Sequence, residues 1–132
     1  MPIKKPSKEI KIREDNLSGV EYPIFCFKYL QMYSIKDCKD HEFFFRFLER
    51  LQKLSELGWA EIRKSNRHSF GTEHIPIDQI KPQTPAFITP DVNYLTAFRA
   101  TGSKLPFLGI LDGKIFHIIY IESTFGDIYD HN

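Results

Sequence analysis

Apolar positions along the chain change their period between segments. Residues 20–33, VEYPIFCFKYLQMY, put Phe25, Phe27 and Tyr29 on one side and Ile24 and Cys26 on the other, which predicts a strand. Pro23 has no amide hydrogen for a ladder, so it belongs at the strand start or on an edge. From Phe44 the step lengthens to three and four. Phe47, Leu48, Leu51, Leu54 and Leu57 make one stripe, with Arg46, Glu49, Arg50, Gln52 and Lys53 outside it, and that spacing predicts a helix packed on a sheet. Asp40 can cap it ahead of His41, and Gly58 suits a left-handed residue that closes it. Residues 59–65, WAEIRKS, read as a second, short helix whose Trp59 and Ile62 fold back on the first.

The last third is dominated by Ile, Leu, Phe and Tyr in residues 94–100, 105–112 and 114–122, the composition of packed strands. Thr101-Gly102-Ser103 and Asp112-Gly113 separate them, and Asp-Gly between apolar runs predicts a type I′ hairpin with positive φ at both central residues. Between helices and strands, residues 66–91 carry Pro76, Pro82, Pro85 and Pro90 among polar residues and read as loop. A structureless loop of more than ~12 to 15 residues in a small domain is commonly functional or disordered. Ile75, Ile77 and Ile80 predict that part of it packs down. The expected class is α+β: an N-terminal strand, one long and one short helix, then a three-stranded antiparallel meander, as one sheet covered on one face by the helices. Residues 1–132 read as a single domain, with 1–18 a mobile arm or an edge strand at 9–13.

Composition limits the partners. The 132 residues are 42% hydrophobic and 14% aromatic, enough for a sizeable core, and the formal net charge is +1. Nucleic-acid binding would therefore need a local patch rather than a bulk field. Two cysteines, Cys26 and Cys38, are too few for a disulfide framework and lack metal spacing. No apolar run approaches the ~20 residues that cross a bilayer, so the expectation is a protein of the reducing cytoplasm with no membrane partner. No phosphate loop, dinucleotide fingerprint or zinc-helix spacing occurs, so no cofactor and no metal are expected.

Candidate chemistry gathers in two places. The first is Arg99 with the terminal Tyr129-Asp130-His131. Arg99 also admits a structural reading, pairing with Glu73 or Asp127 or capping loop carbonyls, and the two readings stand level. His117, flanked by Phe116 and Ile118, reads as a core histidine and is secondary. The second is residues 67–74, RHSFGTEH, where Arg67, His68 and His74 could contact phosphate and Gly71 could let backbone approach a ligand. A turn held by Glu73 and Arg67 pairing with the rest of the fold is the plainer alternative. Lys104 adds a cation in the turn before residues 105–112. Asp112, Glu122, Asp127 and Asp130 would repel a phosphate unless neutralised.

The order of elements, with Leu95-Thr96-Ala97-Phe98-Arg99, the Asp112-Gly113 turn, the strand from Ile115 to Ile121 and the closing Tyr129 and His131, resembles the RelE/ParE superfamily of bacterial toxins. By residue pattern the resemblance covers about the last third of the chain. It implies a metal-independent endoribonuclease that cuts mRNA at the ribosome and is held in check by an antitoxin protein. On that resemblance Arg99 stabilises the phosphorane and Tyr129 or His131 is the acid or base, while Arg67, His68, His74 and Lys104 bind substrate. Such cleavage needs a proton acceptor, a proton donor and positive charge at the phosphate. The alternative is a non-enzymatic binding or regulatory module that keeps the same fold.

Overall fold

The computed structural model describes residues 21–67, 69–101 and 103–131. The arm expected over 1–18, with its strand at 9–13, lies outside the described residues, as do Val20, His68 and Gly102. Five strands, β1 (Ile24–Cys26), β2 (Glu73–Pro76), β3 (Tyr94–Arg99), β4 (Pro106–Asp112) and β5 (Ile115–Ile121), form one mixed sheet in the order β1-β5-β4-β3-β2. With the helices α1 (His41–Leu57) and α2 (Trp59–Lys64) the class is α+β. The C-terminal strands pair antiparallel in succession, but a three-stranded meander is too small a description. β1 adds parallel to β5, and β2 adds antiparallel to β3 from within the segment expected to be loop. The strand expected over 20–33 shrinks to three residues, after which the chain turns away through Ser34, whose φ is +77°.

α1 begins at His41, where an Asp40 carboxylate oxygen accepts from the Phe43 amide at 3.1 Å. Its buried line is Phe43, Phe47, Leu51 and Leu54, whereas Leu48 is 65% exposed. One residue along a helix is about 100° of rotation, which carries Leu48 off the stripe that Phe47 shares. Gly58 ends α1 at φ +82° and ψ +155°, an extended conformation that only glycine enters readily rather than the left-handed helical one. The chain can therefore turn straight into α2, and Trp59 and Ile62 join the core under α1. That core is aromatic: Phe98 and Phe107 stack at 5.0 Å between centroids, and Phe47 meets Phe107 edge-on at 5.2 Å.

The helices do not cover the sheet alone. On the opposite face Leu95, Ala97, Leu108 and Ile119 pack against Ile80, Ile88, Ile128 and Tyr129, so residues 77–92 and the tail after β5 form a second, irregular layer. A bulge puts two successive β5 residues on that face. Leu108 pairs with Tyr120 and Gly109 with Ile118, leaving Ile119 as the extra residue. The β4–β5 hairpin also departs from the type I′ expectation. Asp112 pairs with Ile115, so Gly113 and Lys114 are the central residues, and only Gly113 has positive φ, at +64°. That is the pattern of a type II′ turn, which needs glycine at the first central position alone. Among the described residues no helix is long and apolar enough to cross a membrane.

Candidate active site

The irregular layer opens into a cleft of about 460 Å³ beside the β2 edge. Arg67, His74, Arg99, Lys104, Tyr129 and His131 all border it. His68 lies outside the described residues.

Arg99 sits at the last position of β3, and its guanidinium reaches sideways into two loops. Nε donates to the Arg67 carbonyl at 3.2 Å and Nη1 to the Lys104 carbonyl at 3.0 Å. The loop carrying Arg67 is held from the other side by Arg50 of α1, which donates to the Ser69 carbonyl and lies 4.2 Å over the Phe70 ring. Burial, and then the charge of Arg99, hold Arg50 below the usual guanidinium value, a sign of crowded positive charge. Gly71 has a different job from the one its place in the sequence suggested. A Cβ there would lie 2.2 Å from the Ser65 carbonyl oxygen, so glycine lets the loop close on itself rather than on a ligand. Arg67 meets Glu73 at 2.8 Å.

His131 owes its position to a residue that sequence reading counted only as a repulsive charge. Glu122, directly after β5, is completely buried. One of its carboxylate oxygens accepts from the Ile128 amide at 2.9 Å, and the other lies 2.7 Å from His131 Nε2. With Glu122 ionised and the ring neutral, Nε2 carries the hydrogen and Nδ1 is the free nitrogen. The ring is sandwiched between Phe125 and Tyr129, with centroids at 4.3 and 4.2 Å. Tyr129 places its hydroxyl 3.4 Å from Glu73. Burial first, then the charges of Glu73 and Glu122, push its phenol well above the ordinary value. Tyr129 therefore stays protonated and serves as a hydrogen-bond donor, not a base.

The acids of the tail each have a partner, but only Asp130 is offset by a cation; Glu122 and Asp127 keep their negative charge. Asp130 meets Lys81 at 2.7 Å, and the same ammonium donates to the Gly126 carbonyl at 2.7 Å. Asp127 accepts from the Ser34 hydroxyl at 2.8 Å. Glu122 is engaged at both oxygens, and Asp112 lies in the distant hairpin. None of these partners could be paired from sequence, because Ser34, Lys81 and Glu122 are brought to the tail by chain reversals rather than by spacing.

Comparison with family models, with curated proteins and with solved structures returned no match.

Two candidates stand apart from the cleft. His74 pairs with Thr96, so its side chain faces the helix side of the sheet, opposite Glu73, and only its place on the edge strand brings it to the border. His117 does not line the cleft; its Nδ1 is buried without a partner among the described residues, and Tyr29 approaches its ring at 5.4 Å. No group of three or more His, Cys, Asp or Glu suited to a metal occurs among the described residues.

Proposed function

We propose that the protein is a metal-independent endoribonuclease acting on mRNA, in line with the RelE/ParE resemblance, and that the cleft is its active site. One observation carries this reading. A histidine fixed by a buried carboxylate shares an open cleft with Arg67, Arg99 and Lys104. His131 Nδ1 takes the proton of a ribose 2′-hydroxyl, and the oxygen attacks the adjacent phosphorus. The bond to the 5′-oxygen breaks, leaving a 2′,3′-cyclic phosphate. The departing oxygen draws a proton from water, and the hydroxide formed recovers the proton held by the imidazolium. Arg67, Arg99 and Lys104 offset the charge that develops on the phosphorane, and the Tyr129 hydroxyl donates to it on release from Glu73.

The test is cleavage of mRNA, on ribosomes and free, in the presence of a chelator, with chemical identification of the new ends. Cyclic phosphate ends are expected, and His131→Ala should slow the reaction roughly 10²- to 10⁴-fold. A well-folded wild type that cuts neither substrate rules the proposal out.

A second reading, a binding module, is favoured by the outer face of α1. Phe45 and Leu48 stand there 60% and 65% exposed, three residues apart on one side of the helix. A partner protein of the antitoxin kind would cover them. Under this reading the protein binds ribosomes or the partner, and loses binding on Leu48→Asp, while leaving RNA intact.

A further inference from the structure

Across the β2 edge from the cleft lies a second groove, of about 480 Å³, between α2 and the part of the sheet that the helices leave bare. That volume suits a small planar ligand or one nucleotide. The strand register separates the two sites. Glu73 pairs with Ala97 and faces Tyr129, whereas His74 pairs with Thr96 and faces the groove. The His74 ring lies flat on Tyr94, with centroids 3.8 Å apart and planes within 13°, and Tyr94 is left 45% exposed. Trp59 lines the same groove, and its indole Nε1 is buried with no acceptor among the described residues. An aromatic platform and the Asn93 amide at the rim are together the equipment for holding one heteroaromatic ring.

We propose that this groove is a base subsite, holding one unpaired nucleobase next to the phosphate bound in the cleft. The base stacks on Tyr94 and meets the Asn93 side-chain amide with its polar edge. The inference rests on the ribonuclease reading and deepens it: the substrate is single-stranded, because a paired base could not leave its stack. Among the described residues β2 is an edge strand, only four residues long, so an RNA strand passing from cleft to groove crosses one strand edge. His74 borders both.

Trp59 is the only tryptophan, so its emission reports on the groove directly. The wild type is titrated at low salt with an uncleavable 2′-O-methyl oligonucleotide and with the same backbone lacking bases. The base-bearing strand should change Trp59 emission saturably. Tyr94→Ala should weaken its binding on the order of ten- to a hundred-fold, and Tyr94→Phe should restore it. The abasic strand should bind with that same loss and leave the emission unmoved. Thermal melts check that both variants fold. If Tyr94→Ala binds as tightly as wild type while Lys104→Ala weakens binding, the subsite is wrong and the cleft stands. If neither strand binds the wild type, the cleft reading falls and the subsite with it.

Discussion

Glu122 and His131 meet at 2.7 Å with the carboxylate removed from solvent, so the end of the described chain is tied to the end of the central hairpin. Removing the acid leaves the Ile128 amide and the imidazole N–H without their acceptor. Unsatisfied buried donors cost about 1–3 kcal/mol each. Glu122→Ala is therefore expected to lower unfolding stability by roughly 2–4 kcal/mol in urea titration. Glu122→Gln, which keeps one carbonyl acceptor, should lose about half of that. A Glu122→Ala variant within 0.5 kcal/mol of wild type would mean that the tail is not anchored through this residue.

Arg99 serves the structural one of its two sequence readings, capping carbonyls of two loops, while it borders the cleft. Lysine keeps the charge but lacks a planar fork that can reach both Arg67 and Lys104 carbonyls. Arg99→Lys should cost about 1–2 kcal/mol of stability and loosen both loops. Trypsin then cuts faster after Arg67 and after Lys104 than in wild type. Equal cutting rates at those two bonds would show that the loops are held by something else.

The central features were legible wherever a periodic pattern met a packed surface. Phe47, Leu51 and Leu54 announced α1, and the three C-terminal apolar runs announced β3, β4 and β5. β2 was not legible, since Glu73-His74-Ile75-Pro76 has one buried side chain and a proline and gains its strand geometry from pairing with β3. Leu48 misled because it and its neighbour Phe47 cannot both face the sheet. Within the cleft, the cations and Tyr129 and His131 could be named from residue type. Glu122 could not, because nothing local distinguishes a buried, fully bonded glutamate from an exposed one.

Gly71 should be intolerant of any side chain. A Cβ would sit 2.2 Å from the Ser65 oxygen and 2.7 Å from the Asn66 carbonyl carbon, and both are backbone that cannot swing aside. Gly71→Ala is expected to cost about 1–3 kcal/mol. It should also displace Arg67 from Glu73, so that RNA affinity falls with stability. A variant that melts with wild type would show that the loop reopens at no cost.

Alkaline pH should expose the burial of the tyrosines. Burial pushes both Tyr120 and Tyr129 above the ordinary phenol value, and in Tyr129 the carboxylates of Glu73 and Glu122 add to it. An acid whose folded pKa is raised contributes stability that is complete below the unfolded value near 10 and is lost as pH rises through the folded one. Lys81, raised chiefly by its hydrogen bond to Asp130, has the same sign. Urea midpoints should thus hold steady from about pH 7 to 9 and fall beyond about pH 10, by at most about 1.4 kcal/mol per pH unit for each phenol. Tyr129→Phe has no proton to lose, so its decline between pH 10 and 11 should be shallower than that of wild type, whatever its stability at neutral pH. Parallel declines would place the Tyr129 hydroxyl in water, and the phenol would then be neither buried against Glu73 nor kept as a donor in the cleft.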